Sequence, residues 1–244
     1  MSGFGRCGEW FAWQRHDGQH IIFTRYQNDA LELWQLDLQT GKAVALTSHG
    51  DVNLEPRYSP DDRQIAFVST ADSGHFNLYV AAIAGDRLDA PRRLLLEHTS
   101  KVDRYYYAPT DHVINPSWTP DGQHLLFVSN REVAYGTGDI WSVAVNAPED
   151  LKKILSEETA WRAQPQVAPD GRRVLFSSYH GRQWQQLWIT TMLVFGLGLG
   201  VRMRDELGRW QAFLSSFCFL CPRPFPLSGK STANLQSSSQ LKGG

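Results

Sequence analysis

The chain has 244 residues, room for one large domain or two small ones, with 42% hydrophobic, 20% charged and 12% aromatic residues. This composition is that of a globular protein and excludes a disordered or fibrous one. Lys and Arg number 24 against 25 Asp and Glu, a formal charge of −1, so no global basic field recruits nucleic acid or an anionic membrane.

The opening stretch MSGFGRCGEWFAWQRHDG lacks a cationic segment followed by an apolar one, and the longest weakly polar run, residues 192–201, is ten residues long. Neither a secretory signal nor a membrane span is expected. Cys7, Cys218 and Cys221 cannot make a disulfide framework, because one must stay unpaired and two lie three apart. They leave the compartment undetermined. Charge is uneven: residues 1–191 carry 18 basic and 23 acidic side chains, and residues 192–244 carry 6 and 2. The last segment also turns to Gly-Leu alternation, then Phe, Cys and Pro, then Ser, Gln and Gly. Two regions are expected, 1–190 and 191–244.

Within the first region a segment recurs. A partial copy, HDGQHIIFTRY, covers residues 16–26; EPRYSPDDRQIAFVST covers 55–70, NPSWTPDGQHLLFVSN covers 115–130 and QPQVAPDGRRVLFSSY covers 164–179. The turn aspartates Asp17, Asp61, Asp121 and Asp170 are 44, 60 and 49 residues apart. Each copy has a second landmark. Phe23, Phe67, Phe127 and Phe176 are followed 11, 12, 14 and 12 residues later by Trp34, Tyr79, Trp141 and Trp188. After the first three come further apolar runs at residues 44–46, 94–96 and 154–155. The runs are short, β-branched and aromatic without helical spacing, so they predict strands. In the turn between the first two, Pro presets φ, Asp bonds its own backbone two residues on, and Gly accepts a positive φ. Four short strands at a period of about 40–50 residues predict β-propeller blades, here near 5–50, 51–100, 112–158 and 161–190.

At these residues the chain resembles the TolB-like, or WD-like, propeller repeat, with its Pro-x-Trp/Tyr-Ser-Pro-Asp-Gly hallmark. The resemblance implies an all-β fold of four-stranded antiparallel blades. The same repeat occurs in periplasmic TolB proteins, in the propellers of prolyl-oligopeptidase-like serine peptidases, and ahead of the catalytic barrel in some amidohydrolases. SNREVAYGTGDIWSV (residues 129–143) and ETAWRAQPQVAPDGRRVLFSSYHGRQWQQLW (residues 158–188) look most like the amidohydrolase-linked propellers. After Trp188 no fourth strand and no further Ser-Pro-Asp-Gly copy is expected. Family members usually have six or more blades, so an incomplete ring is expected, with residues 191–244 a disordered or frame-shifted tail. The alternative is a closed four-bladed propeller with a long C-terminal extension.

Catalytic motifs are missing. Gly229-Lys230-Ser231 resembles the end of a phosphate loop, but Pro224 stands where its first glycine is needed. Gly196, Gly198 and Gly200 miss the dinucleotide fingerprint at Val201. Cys218 and Cys221 offer half of a structural zinc site. No nucleophile elbow, His-Glu-x-x-His or His-x-His occurs. No cofactor or metal is expected, and if the parent is a hydrolase acting on C–N bonds its catalytic residues lie elsewhere. The repeated aspartates read as turn caps rather than a metal array, and the repeated aromatics as packing between blades.

Binding is expected on loops. In an up-and-down blade the Pro-Asp-Gly turns share one face, so the variable loops share the other. The longest connection brings Arg104, Tyr105, Tyr106, Tyr107, Asp111 and His112 to that face, beside Arg131, Glu132, Tyr135, His180 and Arg182. Tyr and Arg favour interfaces, and loops on a rigid scaffold carry function. A protein partner or a catalytic domain absent from the chain is expected there, with no nucleic acid and no membrane span. Open blade edges predict self-association. Three functions follow from the resemblance: a scaffold or gate for an amidohydrolase-type domain, a free-standing TolB-like binder of the cell envelope, or the lid of a serine peptidase. The compartment stays unknown, although family members are often periplasmic.

Overall fold

Sixteen strands in four separate antiparallel sheets make up the computed structural model, which describes residues 9–104, 109–155, 161–180, 183–190 and 202–203. Among these there is no helix, and none is long and apolar enough to cross a membrane. The first blade is β1 (Glu9–Gln14), β2 (His20–Gln27), β3 (Ala30–Asp37) and β4 (Ala43–Ala45). The second is β5 (Asn53–Tyr58), β6 (Gln64–Ser69), β7 (Asn77–Ala84) and β8 (Arg87–Arg93). The third is β9 (Val113–Trp118), β10 (His124–Ser129), β11 (Asp139–Ala144) and β12 (Ala147–Leu155). The fourth is β13 (Trp161–Val167), β14 (Arg173–His180), β15 (Gln183–Thr190) and β16 (Arg202–Met203).

Each sheet is a simple meander, and the first strand of a blade packs on the first three strands of the blade before it. Central strands of blades two and three are therefore covered on both faces, which explains the nearly unbroken apolar runs in β6 and β10. Fourth strands lie outside and need no such run: β8 and β12 are charged, largely exposed and carry Pro91 and Pro148, as edge strands do. Three apolar clusters fill the seams. Ile22, Leu33 and Leu46 meet Tyr58, Ile65 and Tyr79; Leu78 and Val80 meet Trp118, Phe127 and Trp141; Leu126, Val128 and Ile140 meet Val174 and Phe176. Among the described residues the stack does not close into a ring, so the incomplete propeller is the observed fold.

The turn aspartates cap backbone as expected. Asp17, Asp61, Asp121 and Asp170 accept the N–H two residues on at 2.8, 3.1, 3.0 and 2.9 Å. The next residue is left-handed in all four turns: Gly18, Gly122 and Gly171, but Asp62 in blade two.

Three expectations are corrected. The fourth strand of blade two is the polar β8, not the apolar triplet at 94–96; Leu94 and Leu95 fill the core behind it and Leu96 is 84% exposed. Blade four does have a fourth strand, because Ile189 pairs with Met203 and Thr190 with Arg202. Trp188 also departs from the repeat. Phe23, Phe67 and Phe127 stand opposite Trp34, Tyr79 and Trp141, whereas Phe176 stands opposite Leu187. The hairpin closing at His180 and Gln183 shifts the register by one residue, and a shift of one exchanges the faces of a strand. The chain divides into units Met1–Asp205 and Glu206–Gly244, later than the change in composition near Thr191, and all described residues belong to the first. Except for Arg202 and Met203, the expectation of a disordered or frame-shifted tail falls outside the described residues.

Candidate functional site

The long connection between blades two and three leaves β8, pairs with itself at Thr99 and Thr110, and returns through the Asp111 N–H to the His98 carbonyl at 2.8 Å. Arg104 sits at the base of this excursion with a side chain only 1% exposed. Its guanidinium donates to the carbonyls of Pro109 and Thr110 in its own loop, at 3.0 and 3.2 Å. It also donates to Asn130 and Val133 in the β10–β11 loop, at 2.7 and 3.2 Å. It further contacts the Asp111 carboxylate, in an ion pair, and Ser100 Oγ at 2.6 Å. Ser100 uses its hydroxyl fully: it donates to Asp111 at 2.6 Å and accepts from Arg104 and from the Glu132 N–H at 2.8 Å. His98 Nδ1 bonds the other carboxylate oxygen, and Arg131 Nε lies 3.4 Å from it.

Electrostatics follow from this wiring. Burial works against the Asp111 charge, but bonds from Arg104, Ser100 and His98 overcome it and hold the carboxyl below its ordinary range. Burial and then the nearby Arg104 charge push the His112 imidazole below its ordinary value, with Asp111 opposing. His112 is fixed by its backbone, whose N–H donates to Asn130 Oδ1 at 2.9 Å and whose carbonyl accepts from Ser129 Oγ at 2.8 Å.

The candidates therefore divide into an inner and an outer set. Arg104, Asp111 and His112 form the base. Arg131, Glu132 and Tyr135 form the rim: the Arg131 guanidinium lies 5.7 Å from the Trp141 ring, Glu132 is 60% exposed, and Tyr135 meets Trp161 edge-on at 5.8 Å. Tyr105, Tyr106, Tyr107 and Arg182 lie outside the described residues. His180 is described only as the last backbone position of β14.

A second buried pair escaped the reading of the sequence. Arg162, fully buried, donates to the Gly138 carbonyl at 3.0 Å and to Asp139 Oδ1 at 2.7 Å, while Lys153 Nζ reaches Asp139 at 3.2 Å. Thr137 Oγ1 both accepts from the Arg162 N–H and donates to its carbonyl, each at 2.7 Å. This ties the blade-three loop to blade four. Its signal was a column of the repeat: Glu32, Asn77 and Asp139 each stand two residues before the landmark aromatic, and all are buried. Glu32 likewise collects Thr47, the Gly50 N–H at 2.9 Å and Asn53 Nδ2 at 3.1 Å.

On the opposite face a cleft of about 270 Å³ lies between blades one and two, lined by Arg15, His20, Asp62 and Asp86 among others. Arg15 in its wall is paired, its Nε standing 3.3 Å from Asp17 and 3.8 Å from Asp62. Among the described residues no three His, Cys, Asp or Glu side chains converge as metal ligands. The loop face thus presents a rim of cationic, acidic and aromatic groups on a buried, hydrogen-bonded base.

Residues 12–192 match the model of the TolB beta propeller domain. The chain belongs to this TolB propeller family. It is 26% identical over 168 residues to the Tol-Pal system protein TolB of Francisella tularensis subsp. holarctica, covering 68% of the chain and 34% of that protein. The propeller thus spans about a third of the length of the curated relatives it matches. A putative TolB from Agrobacterium tumefaciens superposes with a TM-score of 0.58 at 19% identity, over 83% of this chain and 66% of that one. A puromycin-hydrolyzing peptidase of Mycobacterium tuberculosis does so with a TM-score of 0.54 at 15% identity, over 84% and 30%. These two likenesses establish the shared fold of the TolB-like propeller.

Proposed function

We propose that this TolB-like propeller is a non-catalytic scaffold whose loop face docks onto and gates a hydrolase domain of the amidohydrolase type, not contained in the chain. The observation that carries the proposal is the Arg104 network. It fixes the long connection to the β10–β11 loop, so the Arg131, Glu132 and Tyr135 rim is presented already ordered, and ordering costs on binding fall. Arg131, Glu132 and Tyr135 lie within residues 129–143, one of the two stretches whose sequence resembles amidohydrolase-linked propellers. Association of copies through the open blade faces is part of the proposal.

The test is calorimetric titration with a purified amidohydrolase barrel taken from a propeller-linked relative. Saturable binding is expected, weakened about tenfold or more, near 1.4 kcal/mol, by Glu132→Ala with Tyr135→Ala. Lys42→Ala, in the exposed Lys42–Asp86 pair on the turn face, should leave it unchanged. No binding to the barrel would overturn the proposal. A second reading, a free-standing protein-binding propeller of the cell envelope, is favoured by the TolB relatives. Binding to an envelope protein with the same rim dependence would select it.

A further inference from the structure

Seams between blades share one construction, in which each blade has an entering face and a receiving face. On the entering face of blades two and three lie the pairs Phe67–Tyr79 and Phe127–Trp141, buried against the preceding blade. The entering blade also hands donors backward. Tyr58 OH donates to Gln35 Oε1 at 3.0 Å and Trp118 Nε1 to the Arg57 carbonyl at 3.1 Å. Its first strand carries a bulge with one left-handed residue, Phe11, Glu55, Asn115 or Gln164 at φ 53–55°. In blades three and four the bulge N–H is received by the side chain at the same position of the blade before: Asn115 N–H by Glu55, and Gln164 N–H by Asn115 at 3.0 Å.

Among the described residues, the two end blades each keep one face that packs on no further blade. On blade four Gln164 offers the next acceptor in this series, half-buried and without a donor among the described residues, and Leu175 is half-buried where Ala66 and Leu126 are 0% exposed. On blade one Phe23 and Trp34 stand in the positions by which blades two and three enter their predecessors, and Phe11 has the bulge N–H. Trp34 is half-buried, against 4% exposure for Tyr79 and 7% for Trp141. The Arg25 guanidinium lies 4.4 Å from the Trp34 ring and 5.1 Å from Phe23. A cation there is compatible with a closed seam, because Arg131 and Lys153 lie 5.7 and 5.0 Å from Trp141 inside one.

We infer that the entering face of blade one docks onto the receiving face of blade four of a second copy, head to tail, with the Phe11 N–H donating to Gln164 and Trp34 packing near Leu175. The chain carries both halves of the seam it already forms inside itself. Such a contact is heterologous: it makes a ring if the rotation closes and an open chain if it does not. The inference rests on reading the open faces as association surfaces. The loop-face variants Glu132→Ala and Tyr135→Ala do not touch these seams, so failure of hydrolase docking and failure of self-association read out separately.

The experiment blocks one face at a time. Leu175→Arg closes the receiving face and Trp34→Glu the entering face, with Ser177→Arg and Arg25→Glu as replacements should either fail to fold by circular dichroism. Molar mass is followed by light scattering over a dilution series. The wild type is expected to exceed the monomer mass and to fall toward it on dilution, while each variant alone stays monomeric. Mixing the two variants is expected to yield a complex of two chains that grows no further, because one intact pair of faces remains. A wild type that is monomeric throughout, a blocked variant that still associates as the wild type does, or a mixture that stays monomeric would each overturn the inference.

Discussion

The side-chain oxygen of Asn115 accepts the backbone N–H of Gln164 at 3.0 Å, while the Asn115 N–H and amide are themselves held by the Glu55 carboxylate, the amide at 2.6 Å. One column of the repeat, the residue before the proline in blades two to four, thus links three blades through buried polar groups. These residues adopt a positive φ where a pre-proline residue prefers extended backbone, a conformation of moderate cost retained at the same place each time. The gain is that the bulge N–H groups of blades three and four, lost to their own sheets, find a partner in the blade before.

Asn115→Leu should cut the link to blade four and weaken the one to blade two. It leaves the Gln164 N–H without its acceptor and the Glu55 Oε1 without its amide donor, while the backbone N–H at position 115 still reaches the other Glu55 oxygen. The expected loss is about 2–4 kcal/mol in urea unfolding, at about 1–3 kcal/mol for each group left unpaired. Glu55→Gln should cost less and change the pH dependence. Burial raises the Glu55 carboxyl above its ordinary value of 4.5, against the Asn115 donors and the Arg57 charge. The folded state then holds its proton more tightly than the unfolded chain, so wild-type stability falls as pH rises from 4.5 through the raised value. Glu55→Gln should remove that decline; an unchanged pH profile would refute the assignment.

Arg104→Met leaves Asp111 buried opposite an apolar chain, and removing one partner of a buried pair costs about 3–5 kcal/mol. Asp111→Asn tests the same network through acid. Because the folded carboxyl lies below its ordinary 3.8, its stabilisation is present above that pH and is lost as pH falls through the depressed value. The stability gap between wild type and Asp111→Asn should be widest near neutrality and shrink in acid denaturation.

Gly138→Ala should be among the most damaging small substitutions. Gly138 has φ +115°, and an added Cβ would lie 1.9 Å from the Ser129 carbonyl oxygen on the neighbouring strand. No side-chain adjustment relieves a clash with backbone, so a loss above about 3 kcal/mol is expected, in the range reserved for such failures. Gly122→Ala meets only Pro60 Cδ at 3.6 Å, and it should cost the left-handed penalty alone, about 1–2 kcal/mol.

The blades were readable because their signals are local: a Pro-Asp-Gly turn and an apolar pair act within a few residues of where they are written. Three features were not. The fourth strand at Arg202 and Met203 has no apolar run, and only pairing with Ile189 and Thr190 defines it. The register slip at Phe176 and Leu187 depends on hairpin length rather than on the aromatic landmark. The direction of Arg104 is set by carbonyls from a loop some thirty residues away and that of Asp111 by Arg104, Ser100 and His98, so composition placed both on one connection without telling base from rim. The column of Glu32, Asn77 and Asp139 stands in the repeat two residues before each landmark aromatic, but a polar residue inside a strand carries no local sign that it is buried.

Asp62 offers the sharpest contrast between two opposing effects at one residue. It occupies the left-handed turn position held by glycine in the other three blades, at φ 59°, and so bears a steric cost that glycine escapes. In return its carboxylate bonds across the seam to blade one: Oδ1 lies 2.7 Å from His16 Nδ1 and accepts the His16 N–H at 3.2 Å. That bond is exposed on the His16 side, so its worth is about 0.2–1 kcal/mol, near the relief that glycine brings. Asp62→Gly should therefore change stability by less than about 1 kcal/mol, and Asp62→Ala, which keeps the strain and loses the bonds, should be clearly worse. His16→Ala in the Asp62→Gly background should add nothing further through this contact. A double-mutant cycle by urea denaturation checks all three, and an Asp62→Ala variant as stable as Asp62→Gly would show that the turn carries no left-handed strain.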